Sequence, residues 1–476
     1  MGEKKSSFRT LVRDSYKNLT LRKLYPARYR AACKADVIPG RVVFLEIREK
    51  GLSDNFRMIR AALEKRNQHR ELSGEEKKNK AGDVSVQGFA GERDPEWTMS
   101  VVCIREGMEN RSIVVKNCLK AIPQLARAQF IFVNEVSYFL SCLPMRPETT
   151  VIQTWHACGA FKKFGYSAVG SGFGTTREDL DAYPVHGNFS YVTVSSPEVI
   201  WAYAEAFHME DRVDRILPVG VSRTDMFFSS SYRRKACGKV AWILRRMAPD
   251  LFLRDQRSSG RSDPASSRRE TSREIMERIG DIYSDRAADR EHAQDLAMLP
   301  GKKILLYAPT FRGTVGRAAA PDALDLPLMK KALGRDYILL INHHPFIRAK
   351  DRPKIPDSCR NFAFDMTDQV SIEELLTAAD ICITDYSSLI FEYSLFERPM
   401  VFFAYDMERY LDERGFYYPV SDMMPGPVCR TTSELVEVLQ DKDAEFDLAR
   451  VRAFKYRFMS GCDGHATARV LKLMGI

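Results

Sequence analysis

The sequence predicts an α/β protein of two blocks, each alternating strands with helices, joined by a linker and preceded by a basic amphipathic segment. Three observations carry this expectation. Short apolar, β-branched runs alternate with stretches of helical period, the pattern of parallel sheets covered on both faces. The alternation loosens between Ser229 and Pro300, where Arg and Ser accumulate, and then resumes. The net charge of +9 over 476 residues is concentrated at one end: the first 35 residues hold ten lysines and arginines against two acids.

The predicted segments are 1–37, a basic arm; 38–228, a first α/β block; 229–300, a linker or insertion; and 301–476, a second α/β block with a C-terminal helix. In the arm, Phe8, Leu11, Val12, Tyr16, Leu19, Leu21, Leu24 and Tyr25 interleave with the cations. Such a segment suits an anionic membrane surface or a helix packed on the protein. Nucleic acid is disfavoured, because no recognition module accompanies the charge. No run of eighteen apolar residues is present to span a bilayer. The ten cysteines form no C-x-x-C pair and have no His partner at metal spacing, which suits a reducing, cytoplasmic setting.

In the first block, Val42–Leu45 reads as a strand, followed by a helix capped by Ser53 or Asp54 with Phe56, Ile59, Ala62 and Leu63 on its apolar face. Residues 66–96 are polar with little periodicity and are expected to form a loop. Met99–Ile104, Phe130–Val133, Thr150–Gln153 and Tyr191–Val194 read as further strands. Ser195-Ser-Pro-Glu198 reads as an N-cap with Pro at the first helical turn. In the linker only Ala241–Leu244 and Ile275–Tyr283 look ordered. The second block offers strands at Lys303–Tyr307, Tyr337–Asn342, Ile381–Thr384 and Met400–Phe403.

Four polar clusters follow strands, where α/β folds place their ligands. Asp385-Tyr-Ser387-Ser388 lies between the strand Ile381–Thr384 and a helical run, and its hydroxyls at a helix start suit a phosphate. An ordinary strand-to-helix turn with a good cap has the same composition. Gln153-Thr-Trp-His156 runs into Lys162-Lys163, a histidine beside an anion site; a structural His next to Trp155 is equally compatible. Tyr307-Ala-Pro-Thr310-Phe-Arg312 offers a guanidinium for a phosphate or for a surface ion pair. Asn342-His-His344-Pro offers an imidazole, oriented by Pro345 or simply solvated.

In this order, the clusters resemble one family, the CDP-glycerol glycerophosphotransferases of teichoic acid synthesis, primases and polymerases of glycerol- or ribitol-phosphate chains. The resemblance covers roughly residues 38–228 and 301–473 and includes Ser53-Asp-Asn55, Gly220 with Arg223 and Asp225, Arg398-Pro399 and Asp463-Gly464-x-Ala466. It implies a GT-B-like fold, two Rossmann-like domains facing a cleft, with the nucleotide on the second. It implies transfer of glycerol phosphate from CDP-glycerol to a hydroxyl of a lipid-linked polymer, with release of CMP, at the inner face of the cell membrane. His156 would be the base; Thr310, Arg312, His344, Ser387 and Ser388 would meet the pyrophosphate, with Lys162 and Lys163 nearby and Asp385 holding the turn. No cofactor is implied, and with no Asp-x-Asp pattern at a predicted strand end, no metal is expected. CDP-ribitol as donor, a nucleotide-sugar transferase and a membrane-bound scaffold without activity are the alternatives. The sequence departs from the family at Ala157-Cys158-Gly159, where many members carry Gly-Thr-Pro after the Trp-His pair. The departure puts glycerol as the transferred group in doubt and raises Cys158 as a nucleophile.

Overall fold

The computed structural model describes residues 15–80, 95–170, 176–253, 302–313, 318–413, 415–441 and 446–476. The arm up to residue 14 and the ordered stretch expected at Ile275–Tyr283 lie outside them. The chain forms two compact units: Met1–Met226 with Asp412–Tyr417 and Tyr456–Ile476, and Phe227–Leu411 with Tyr418–Lys455.

The first unit holds a six-stranded, all-parallel sheet made of β1 (Ile38–Glu46), β2 (Thr98–Cys103), β3 (Ala128–Val133), β4 (Thr150–Gln153), β5 (Tyr191–Thr193) and β6 (Ile216–Leu217). Their spatial order is β2-β1-β3-β4-β5-β6, so the direction of winding reverses between β1 and β3. Its central strands are apolar along their length because helices cover both faces. Phe44 and Phe132, opposite each other in register, have ring centroids 5.6 Å apart, and Phe56 closes on Phe44 at 5.3 Å. The helix that carries Phe56 runs Asp54–Lys80, so the stretch expected as a loop from residue 66 is helical as far as Lys80. Residues 68–72 are all exposed, and a helix wetted on most sides conceals its period.

The second unit holds another all-parallel sheet: β7 (Lys303–Tyr307), β8 (Tyr337–Ile341), β9 (Ala363–Asp365), β10 (Ile381–Thr384), β11 (Met400–Phe403) and β12 (Val428–Cys429). The order β12-β11-β10-β7-β8-β9 is that of a nucleotide-binding Rossmann sheet, with its switch point between β7 and β10. Part of the expected linker belongs here. Ser230–Met247 is one helix, capped by Ser229 through the Tyr232 N–H. It buries Ala236, Cys237, Val240, Ala241 and Leu244, and Lys239 pairs with Glu374 at 2.7 Å. The arginines on its outer face mask an apolar stripe of helical spacing.

The C-terminal helix, expected with the second block, packs in the first unit. Asp225 accepts from the Ala466 and Thr467 N–H groups at 3.0 and 2.7 Å, satisfying donors at the start of the helix Ala466–Leu473. Gly220 has φ +89°, and a Cβ there would stand 2.0 Å from the Gly461 carbonyl oxygen. The matching residues Gly220, Asp225 and Ala466 therefore form a clasp.

The described part of the arm is helical and docked. Leu21, Tyr25 and Tyr29 are buried in the first unit. Lys17 meets Asp179 at 2.8 and 3.0 Å and lies 4.4 and 4.8 Å from the ring centroids of Tyr138 and Tyr183. Leu19, Arg22, Lys23, Arg28, Arg30 and Lys34 are exposed. Among the described residues no helix is long and apolar enough to cross a membrane.

Candidate active site

In the first unit a polar constellation occupies the switch point of the sheet, at the C-terminal ends of β1, β3 and β4. Glu46, which ends β1, is fully buried and accepts from the Ser53 N–H at 2.7 Å and from Asn134 Nδ2 at 3.3 Å. Burial raises the Glu46 pKa, and the bonds from Ser53 and Asn134 oppose that rise. Asn134, which follows β3, also donates to Ser53 Oγ at 3.1 Å. Its backbone carbonyl faces His156 Nδ1 at 3.1 Å. That contact makes Nδ1 the donor and leaves Nε2 of a neutral ring to act as an acceptor.

His156 is delivered by an unusual backbone. Trp155, just after β4, has φ +55°, and its N–H is held by Gln153 Oε1 at 2.8 Å. A left-handed bulky residue is strained and persists only where its surroundings fix it. The strain therefore falls before the histidine; a second positive φ, +63°, is at Gly159, whose N–H donates to Ser195 Oγ at 3.0 Å. Arg223 Nη1 fastens the His156 carbonyl at 2.6 Å and Asn55 Oδ1 at 2.7 Å. The packed surroundings of the ring lower its pKa to about 4, with the positive charges of Arg223 and Arg48 acting in the same direction against the Asn134 carbonyl. The side chain is solvent-exposed, and water at its edge offsets part of this desolvation. The direction leaves a neutral imidazole at pH 7, able to accept a proton.

Lys162 and Lys163 lie on the loop after His156. Lys162 pairs with Phe416 in an antiparallel bridge, and the Lys163 N–H donates to the Gly415 carbonyl at 2.9 Å, its side chain exposed. Cys158 is 1% exposed, which withholds its thiol from a substrate.

In the second unit the switch point between β7 and β10 is bridged by Asp385, which is 1% exposed. It accepts from the Thr310 N–H at 2.8 Å, Thr310 Oγ1 at 3.0 Å and the Tyr386 N–H at 2.7 Å. Arg312 Nη1 stands 3.0 Å from the same carboxylate. The Arg312 fork is otherwise committed to Asp406, at 2.5 and 2.9 Å, and Tyr386 donates to Asp406 at 3.2 Å. The rings of Tyr410, Tyr405 and Tyr386 surround the guanidinium at 5.0, 5.4 and 5.5 Å. Arg312, expected as a phosphate clamp, has most of its donors satisfied by protein. Tyr405, Asp406 and Tyr410 carry no local signal, since they follow the turn by about twenty residues and meet Arg312 only through the fold.

Ser387 and Ser388 are partly exposed on the turn beyond Asp385. The expected capping bond from Ser388 is absent: its backbone is already helical (φ −67°, ψ −10°), which turns Oγ away from the N–H groups ahead. Ser387 Oγ instead accepts from the Leu389 N–H at 3.4 Å. His344 Nδ1 accepts from the Phe346 N–H at 3.2 Å, and its ring packs against Phe311 and Phe346 at 4.7 and 4.8 Å. Among the described residues no group of three or more His, Cys, Asp or Glu side chains could hold a metal ion.

Two parallel Rossmann-like sheets with polar constellations at both switch points define a GT-B-like protein. Comparison with known proteins agrees: the wall teichoic acid polymerase TagF shares the fold with a TM-score of 0.61 at 22% identity, over 99% of this chain and 97% of that one. The chain belongs to the CDP-glycerol:poly(glycerophosphate) glycerophosphotransferase family, whose profile matches residues 27–241 and 278–475, and it is a phosphotransferase of that type. A teichoic acid ribitol-phosphate primase of Bacillus spizizenii is 32% identical over 90% of this chain and 89% of its own length. A teichoic acid glycerol-phosphate primase of Bacillus subtilis is 25% identical over 75% of this chain and 76% of its own. The teichoic acid poly(ribitol-phosphate) polymerase of Bacillus spizizenii is 30% identical, but the match spans only 46% of its length.

Proposed function

We propose that this enzyme adds ribitol phosphate from CDP-ribitol to a hydroxyl of a lipid-linked teichoic-acid-type acceptor, in the manner of a primase. The observation that carries the reaction is His156, an exposed imidazole fixed through Nδ1 by the Asn134 carbonyl and neutral at pH 7. Its Nε2 takes the proton from the acceptor hydroxyl as that oxygen attacks the β-phosphorus. A P–O bond forms to the acceptor, the bond from the β-phosphorus to the bridging oxygen breaks, and CMP leaves with the electron pair. The departing charge needs fixed donors. Ser387, Ser388 and His344 are assigned to it, and Asp385, Thr310 and Arg312 hold the turn that presents the serines.

Two comparisons favour ribitol over the glycerol phosphate implied by the motifs: greater identity to the ribitol-phosphate primase, and a match over nearly its whole length. Glycerol phosphate remains the second reading, on the family's own description. The exposed cations Lys23, Arg28, Arg30 and Lys34, together with Leu19 at 61% exposure, support attachment to an anionic membrane surface, where a lipid-linked acceptor resides.

The test uses the purified chain with CDP-ribitol and CDP-glycerol in parallel, a lipid-linked acceptor analogue, and CMP release as readout. CMP from CDP-ribitol is expected, reduced about 10²–10⁴-fold in His156→Ala with CDP affinity unchanged. CMP from CDP-glycerol alone would reassign the donor. Release of a nucleoside diphosphate from a nucleotide sugar, with no CMP from either polyol donor, would overturn the reaction.

A further inference from the structure

We propose that Glu46 is a positioning residue for the transfer: its buried carboxylate holds the side chain of Asn134 and so fixes the backbone carbonyl that orients His156. The proposal rests on the reading of His156 as the base and adds the group that keeps its ring in the reactive tautomer.

Glu46 is a buried acid outside the chemical step. It ends β1 at 0% exposure. Among the described residues no lysine or arginine pairs with it; Arg48 is committed to Glu135 at 2.9 Å, and the groups that oppose the effect of burial on Glu46 are Ser53 and Asn134. A buried carboxylate without a cation is costly, and an amide of the same volume would serve packing at least as well. Each of its oxygens takes one donor, Oε1 the Ser53 N–H at 2.7 Å and Oε2 the Asn134 Nδ2 at 3.3 Å. That is the pattern of an ionised, acceptor-only group.

The charge decides how Asn134 sits. Its Oδ1 is buried and makes no hydrogen bond, a cost that turning the amide over could relieve. Glu46 forbids the turn, because it would set Oδ1 against the carboxylate. Ser53 Oγ, 3.1 Å from Nδ2, tolerates either orientation, since a hydroxyl both donates and accepts. The carboxylate therefore holds the asparagine in one arrangement.

The same residue carries the link to the base. The carbonyls of Val133, Asn134 and Glu135 meet, in turn, the Thr154 N–H at 2.8 Å, His156 Nδ1 at 3.1 Å and Gln153 Nε2 at 3.2 Å. The end of β3 is thus laced to the end of β4, and of these three residues Asn134 has its side chain bonded to the last residue of β1. Glu46 anchors it on one side while its carbonyl takes the Nδ1 proton on the other. A neutral imidazole held in this way keeps Nε2 as the proton acceptor.

Glu46→Gln tests the proposal, since it keeps the volume and removes the charge, so that Asn134 can sit either way round. Turnover, kcat, should fall about 10–100-fold with the donor KM within twofold of wild type, while the melting temperature is unchanged or higher. Nitrogen NMR of histidine-labelled protein gives the direct readout. At pH 7 the His156 ring should be protonated at Nδ1 in wild type and populate both tautomers in Glu46→Gln. The double variant Glu46→Gln/Asn134→Asp exchanges donor and acceptor across the pair and should return kcat to within about threefold of wild type. Should Glu46→Gln fail to fold, Asn134→Ala, which keeps the backbone carbonyl and removes the anchored amide, must show the same loss of kcat and the same mixing of tautomers. Wild-type kcat in these variants, or a ring still protonated only at Nδ1, overturns the positioning role and leaves His156 as the base. A wild-type ring protonated at Nε2, or full turnover in His156→Ala, overturns the base and the proposal with it.

Discussion

Arg223 holds the carbonyl of His156 at 2.6 Å and Asn55 at 2.7 Å through the same nitrogen, joining the start of the helix after β1 to the end of β4. The guanidinium thus braces the strained Trp155–His156 turn and places positive charge near the imidazole.

Arg223→Gln should lower kcat with little change in the donor KM, and Arg223→Lys should recover part of the loss. The pH profile separates this from simple unfolding. With the His156 pKa lowered, the acid limb of kcat/KM in wild type should lie below the ordinary histidine value of about 6.5. Removing the charge should move the limb upward. An unmoved limb at equal thermal stability would show that Arg223 does not act through His156. The sign for folding follows: a depressed histidine pKa means the unfolded chain binds more protons, so His156 reduces stability as pH falls from about 6.5 towards 4.

Asp385→Ala should be the costlier change at the second switch point. It strands the Thr310 and Tyr386 N–H groups and one face of Arg312 in a buried setting, at about 1–3 kcal/mol for each unsatisfied group. Thr310→Val removes the hydroxyl that donates to Asp385 and accepts from Arg312 Nη1, and should cost about 1–2 kcal/mol. Denaturant melts of the two variants give the comparison; equal losses would contradict the network.

Replacing Lys23, Arg28, Arg30 and Lys34 together by Gln should release the protein from vesicles containing anionic lipid and leave turnover on a soluble acceptor intact. Charge substitution is a cleaner test than deletion of the arm, because Leu21, Tyr25 and Tyr29 belong to the core. Undiminished vesicle binding at low salt would exclude this face as the contact.

Cys158→Ala should retain activity within about threefold, with a stability loss of about 1 kcal/mol or somewhat more from the vacated volume. Abolished turnover in a folded variant would revive a covalent route through this buried thiol.

Much of the fold was legible because strands buried on both faces are apolar throughout, and Ile381–Thr384 and Met400–Phe403 stand out with their observed limits. Strands of two or three residues, such as Ile216–Leu217 and Val428–Cys429, are too short to show a period. The candidate residues could be named from their places after strands, but their hydrogen-bond partners could not. Arg312 has the composition of a free phosphate clamp until Asp406, 94 positions away, is brought against it. Asp225 is an unremarkable acid until the helix starting at Ala466 arrives 241 positions later. The sequence by itself determined the two α/β blocks, the family and the strand-end positions of the candidate residues, because these depend on local periodicity and motif order. Only the tertiary structure decided which polar groups are committed to the protein and which face outward, because hydrogen-bond partners are fixed by topology and not by spacing along the chain.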